Sequence, residues 1–154
     1  MSAKFHKFDF YHLVNGDYIE PAILIAEEAL KNFNKLLIVA PEDKLSYLSD
    51  KLWINKKESF IAHGLFDEDL SDFAPIWLSS TVEYNPINAD ILMLTNGLSL
   101  DKTNAFKHVF NLFDGSSKNE LELARSQWRD WSSRPQHVCR YFTRTDAGRW
   151  RQSK

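Results

Sequence analysis

The chain has 154 residues, 44% of them apolar, and a formal net charge of −2. That length suits one domain burying roughly two thirds of its unfolded surface, and the apolar share excludes disorder of the chain as a whole. The lone cysteine, Cys139, rules out an internal disulfide framework and suits a reducing cytoplasm.

No apolar run reaches the length of a membrane span, and the opening MSAKFHKFDF lacks the apolar core of a signal peptide. The small net charge hides an asymmetry. Residues 1–124 hold eleven Lys+Arg against nineteen Asp+Glu, whereas residues 125–154 hold eight bases, seven of them arginine, against Asp130 and Asp146. Planar guanidinium forks suit carboxylates and phosphates. The basic end therefore reads either as a solvated surface or as a site for an acidic partner.

In chain order, Phe8–Val14 is rich in strand formers and stops at Asn15-Gly16-Asp17, a turn signal. Pro21 suits a first helical turn, and Ile23, Ala26, Ala29, Leu30 and Phe33 recur at helical spacing. Leu36–Ala40 is a continuous apolar run, as in a strand covered on both faces. Pro41-Glu42-Asp43 opens a second helix with acid in its first turn, and Leu45, Leu48 and Leu52 form its inner face. Short strands are expected at Ser59–His63 and Ile76–Ser79, around an acidic loop, Asp67–Asp72.

Ala89–Thr95 is a further buried strand, ended by Asn96-Gly97. A short helix near Thr103–His108 and a strand at Val109–Phe113 are expected next. Asp114-Gly115-Ser116-Ser117 forms a turn and cap for a last helix over Lys118–Ser133, and Val138–Thr143 with Gly148–Arg151 reads as a hairpin. Strands alternating with helices predict an α/β fold: one three-layer, Rossmann-like, mostly parallel sheet with helices on both faces. The chain, 1–154, reads as a single domain of this kind.

Phosphate-binding chemistry finds no support. The five glycines (Gly16, Gly64, Gly97, Gly115, Gly148) stand singly, so neither a dinucleotide fingerprint nor a phosphate loop is present. The five histidines lack zinc-motif spacing, and His63 near Asp67 and Glu68 reads more simply as a hydrogen-bonded strand-end residue. Cys139, inside a predicted strand, reads as a packing residue. No catalytic residue, cofactor or metal is expected.

In the last helix, Leu121, Ala124, Trp128 and Trp131 share a stripe that Arg125 and Arg129 flank. Two readings stand: a core stripe with solvated arginines, or an aromatic-floored pocket rimmed by cations for a ligand combining apolar and carboxylate groups. Trp53 and Phe60, on either side of a polar link containing Lys56 and Lys57, are either core aromatics or an apolar contact patch.

Taken together, Phe8–Leu13, Leu37-Ile38-Val39-Ala40, Leu52-Trp53 with Glu58-Ser59-Phe60 and His63-Gly64-Leu65, Ile91–Gly97, Phe113-Asp114-Gly115-Ser116, Leu123-Ala124-Arg125 with Trp128, and Gly148-Arg149-Trp150 resemble the chi subunit family of bacterial DNA polymerase III. The Trp-x6-Phe spacing together with Phe-Asp-Gly-Ser carries most of that likeness. The resemblance implies a nucleotide-free Rossmann-like fold and a non-catalytic, cytoplasmic role in DNA replication. It implies two protein partners and DNA only through them: the psi subunit of the clamp-loader assembly, and the acidic C-terminal tail of single-stranded-DNA-binding protein, which ends in a phenylalanine carboxylate. By position it assigns Trp53 and Phe60 to the psi-facing region, and Arg125, Trp128 and Arg129, with Phe113 as an apolar wall, to the tail. The alternatives are a direct nucleic-acid binder using the basic C-terminus, which the acidic remainder opposes, and a small-molecule enzyme. A pocket with convergent polar groups at the carboxyl ends of the strands would favour the enzyme.

Overall fold

The computed structural model describes residues 5–153 except 15–17, 33–34, 55–62, 66–75, 86, 101–104 and 145–148; the side chains of 30, 52–54 and 63–65 also lie outside the described residues. The elements run β1 (His6–Leu13), α1 (Ile19–Lys31), β2 (Leu36–Val39), α2 (Glu42–Ile54), β3 (His63–Leu65), β4 (Ile76–Ser79), β5 (Ile91–Leu94), β6 (His108–Asp114), α3 (Lys118–Ser132), β7 (His137–Arg144) and β8 (Trp150–Gln152). Among the described residues the strands form one eight-stranded sheet in the order β3-β4-β2-β5-β6-β1-β7-β8. Every pair is parallel except the antiparallel β7–β8.

The expected α/β architecture is the one observed, and the apolar run of β2 explains its layering. Side chains alternate across a strand, so Leu36 and Ile38 join the core under α1 and α2, with Ala22, Ala26, Leu45 and Leu48. Leu37 and Val39 join the opposite core under α3, with Phe8, Phe10, Trp77, Ala124 and Trp131. A strand between two helical layers has no polar face to offer, hence the unbroken apolar run.

Two expected elements differ. Ala105–Lys107 is not helical: the Lys107 amide donates to the Asp90 carbonyl at 2.9 Å, and its carbonyl accepts from Lys7 at 3.0 Å. These bonds, which extend the ladders to β5 and β1 at the start of β6, replace the local ones a helical turn would need. The third strand occupies His63–Leu65 instead of ending at His63; residues 59–62 of the expected strand lie outside the described residues. The C-terminal hairpin is more than an appendage, because β7 lies parallel to β1, with Phe8 opposite Cys139 and Tyr11 opposite Phe142.

Candidate functional site: an arginine-rimmed aromatic groove

Helix α3 is started by its preceding turn. The Asp114 carboxylate accepts from the Ser116 amide at 2.9 Å, and the Ser117 hydroxyl caps the helix by accepting from the Glu120 amide at 3.4 Å. Glu120 reaches back to accept from the Asp114 amide at 3.1 Å, a variant of the reciprocal capping box. The helix is thereby tied to the end of β6, which sets the rotation of its faces. Ala124, Gln127 and Trp131 point into the core, Leu121 and Trp128 are half-buried, and Arg125 and Arg129 are exposed.

The two readings of the aromatic stripe therefore divide between its members. Trp131, 2% exposed, is core and packs 5.0 Å from the Phe8 ring. Trp128 sits one turn earlier at the edge, 5.3 Å from Phe10 and perpendicular to Tyr141 at 5.8 Å. Beside it opens a cavity of about 390 Å³ whose lining includes Phe113, Leu121, Arg125, Trp128, Arg129, Tyr141 and Ser153. Four residues singled out from the sequence, Phe113, Arg125, Trp128 and Arg129, meet here. Among the described residues neither arginine has a hydrogen-bond or ion-pair partner. An apolar floor under two uncommitted cations suits an anion carrying an apolar group.

Tyr141 and Ser153 were not legible as site residues, since they arrive on the C-terminal hairpin. Nor was His12. Its Nδ1 lies 2.7 Å from the Tyr141 hydroxyl and its ring 5.2 Å from Phe113, so it braces the back wall. Burial lowers the His12 pKa, Asp114 opposes that shift and Arg125 reinforces it. Burial raises the Tyr141 pKa, with Arg125 opposing. The pair is thus uncharged at neutral pH beside a guanidinium. The glycine of Phe-Asp-Gly-Ser has its reason here: a Cβ on Gly115 would stand 1.7 Å from His12 Nε2.

The opposite face of β1 holds a buried charge cluster. Asp9, 1% exposed, accepts from Arg140 Nε and a terminal guanidinium nitrogen, both at 2.7 Å, and from His108 Nε2 at 2.7 Å. Burial alone would raise the Asp9 carboxyl, but the hydrogen bonds from His108 and Arg140 hold it below its ordinary value. Every carboxylate oxygen has a charged or polar donor, so the cluster is closed and structural. Cys139 is half-buried, and burial, then Asp9, pushes its thiol up to about 11, which fits a packing residue and not a nucleophile.

A second cavity, about 400 Å³, lies at the carboxyl ends of β2 and β5, lined by Tyr18, Asp43, Lys44, Tyr47, Thr95 and Asn96 among others. Its position is that of ligand sites in open α/β sheets. Two of its polar groups are engaged by residues outside the lining: Thr95 Oγ1 donates to the Val39 carbonyl at 3.0 Å, and the Tyr18 hydroxyl donates to Glu120. Burial and that bond raise the Tyr18 pKa. Among the described residues no three His, Cys, Asp or Glu cluster as metal ligands. Trp53 falls in the last turn of α2, but its side chain and the whole of Phe60 lie outside the described residues.

The described residues form a Rossmann-like, mostly parallel α/β sheet with an arginine-rimmed aromatic groove beside α3. No described helix is long and apolar enough to cross a membrane. The sequence pattern of the family described as DNA polymerase III chi subunit, HolC, matches residues 5–138, and the chain belongs to that family. Membership places it among the accessory subunits of DNA polymerase III, with a role in replication. No curated protein matches the chain. The matched span covers β1 to the start of β7 and includes Arg125, Trp128 and Arg129, while Tyr141 and Ser153 fall beyond it.

Proposed function

We propose that this chain is a non-catalytic cytoplasmic linker of the replication machinery, joining the clamp-loader assembly to single-stranded-DNA-binding protein by holding the acidic C-terminal tail of the latter. The observation that carries the reading is the groove itself. Arg125 and Arg129, without hydrogen-bond or ion-pair partners among the described residues, line one cavity with the apolar Trp128, Phe113 and Leu121. A peptide ending in an apolar residue needs a cation for its terminal carboxylate, positive field for its acidic residues and a floor for its last side chain. The groove offers all three.

Direct nucleic-acid binding is the weaker reading, because the cations of the C-terminal segment are partly consumed: Arg140 by Asp9, Arg144 by Glu20, Arg134 by Asp130. The second contact in this proposal, to a psi-like clamp-loader protein, uses Trp53 and Phe60. Pull-down with single-stranded-DNA-binding protein, intact and lacking its last residues, tests the main reading; equal capture of both forms refutes it. Titration of a labelled tail peptide supplies the magnitude. A charge-assisted bond contributes about 1.5–3 kcal/mol, so Arg125→Ala should weaken binding about tenfold or more. Affinity should also fall as salt rises.

A further inference from the structure

The register of the C-terminal hairpin places one more cation on the groove side of the sheet. Thr143 lies opposite Arg151, and the Ser153 amide donates to the Tyr141 carbonyl at 2.7 Å. Alternation along β8 therefore sets Arg151 and Ser153 on the face of Tyr141, whereas Trp150 goes to the other face, where its ring stacks on Tyr11 at 5.0 Å. Arg151 is exposed and, like Arg125 and Arg129, has no hydrogen-bond or ion-pair partner among the described residues.

Its distance from the arginines of α3 follows from the sheet. Tyr11, Phe142 and Gln152 form one row across β1, β7 and β8, so the next row is His12, Thr143 and Arg151. Arg125 lines the same cavity as Tyr141 and Phe113, and Phe113 pairs with His12 in that row. Two strand spacings of about 4.8 Å separate β1 from β8, roughly 10 Å in all. An extended peptide advances about 3.3 Å per residue, so that gap spans about three residues.

We propose that Arg151 is a second anion subsite of the groove, taking an acidic side chain about three residues upstream of a terminal carboxylate held at Arg125 and Arg129, on strand geometry. The inference rests on the groove being a peptide site. It adds that the groove reads the spacing of two negative charges and not merely their number. The bases of α3 and of β8 then act at opposite ends of one ligand, with Ser153 and Tyr141 between them.

The test titrates wild type, Arg151→Ala, Arg151→Glu and Arg125→Ala with three labelled peptides sharing one apolar C-terminal residue. The first has Asp at the third position upstream, the second Asn there, the third Lys there. Arg151→Ala should weaken the Asp peptide about two- to fivefold at low salt, the range of an exposed charge pair, and leave the Asn peptide unchanged. Arg151→Glu should bind the Lys peptide better than wild type does. Arg125→Ala should weaken the Asp and Asn peptides alike. If Arg151→Ala affects Asp and Asn peptides equally, or neither, while Arg125→Ala still weakens both, this subsite is refuted and the groove stands. If Arg125→Ala changes nothing, the groove reading fails and the subsite with it.

Discussion

Replacing Gly115 by alanine should unseat His12, and the size of the effect can be worked from the contact. The new methyl would lie 1.7 Å from His12 Nε2, 2.2 Å from Cδ2 and 2.7 Å from Cε1, so the whole imidazole is in the way. An ordinary contact begins at 3.4 Å, so the ring must retreat by half that distance. It cannot do so freely, being held by the Tyr141 hydroxyl at 2.7 Å and packed on Phe113 at 5.2 Å. Gly115 has no left-handed φ, so the backbone itself tolerates a side chain and the clash is the main cost. Overpacking of this kind costs about 1–3 kcal/mol, which includes a hydrogen bond contributing about 0.5–1.5 kcal/mol. In a His12→Ala background the obstacle is gone. Gly115→Ala should then be neutral, or stabilise by about 0.4–1 kcal/mol through the unfolded chain. Urea denaturation of the four proteins closes the double-mutant cycle, with an expected coupling of about 1–3 kcal/mol. An equal cost in both backgrounds would refute the argument that this glycine exists to seat His12.

The two tryptophans of α3 should separate: Trp131→Ala should cost about 3–5 kcal/mol in denaturation, whereas Trp128→Ala should cost less and chiefly abolish peptide binding by fluorescence anisotropy. Arg140→Ala leaves the Asp9 carboxylate buried without its guanidinium; breaking a fully buried pair costs about 3–5 kcal/mol, and the partial exposure of Arg140 reduces this toward the lower end. Because the folded pKa of Asp9 is lowered, its contribution in wild type is present above the unfolded value of 3.8 and lost as pH falls through the folded one, so the mutant's deficit should shrink in acid denaturation series. The folded pKa of His12 is depressed below 6.5, so His12 lowers stability as pH falls through that value; a bound anionic peptide should raise the His12 pKa, seen by NMR titration, and affinity should rise as pH drops. Cys139, with its thiol raised to about 11, should resist alkylation at pH 8 in the folded protein and react promptly in denaturant.

Much of this protein is local and was therefore legible in the residues alone. The apolar run Leu36–Val39 encodes a strand covered on both faces, and the Ser117–Glu120 cap marks the start of α3. The four-residue spacing of Arg125 and Arg129 around Trp128 places two cations on one helical edge whatever the helix packs against. What stayed hidden depends on contacts between distant parts of the chain. A pairing such as His12 with Tyr141, 129 positions apart, leaves no trace in any local period. Asp9 in a strand of aromatics reads as an anomaly until Arg140, 131 positions later, is laid beside it. Both follow from one tertiary event, the parallel insertion of β7 next to β1. Sequence periodicity specifies which side of an element faces inward, because that is set by residues within one or two turns. Which strands become neighbours is decided by how all the buried faces close together, and that choice made two exposed arginines on a helix into one wall of a groove.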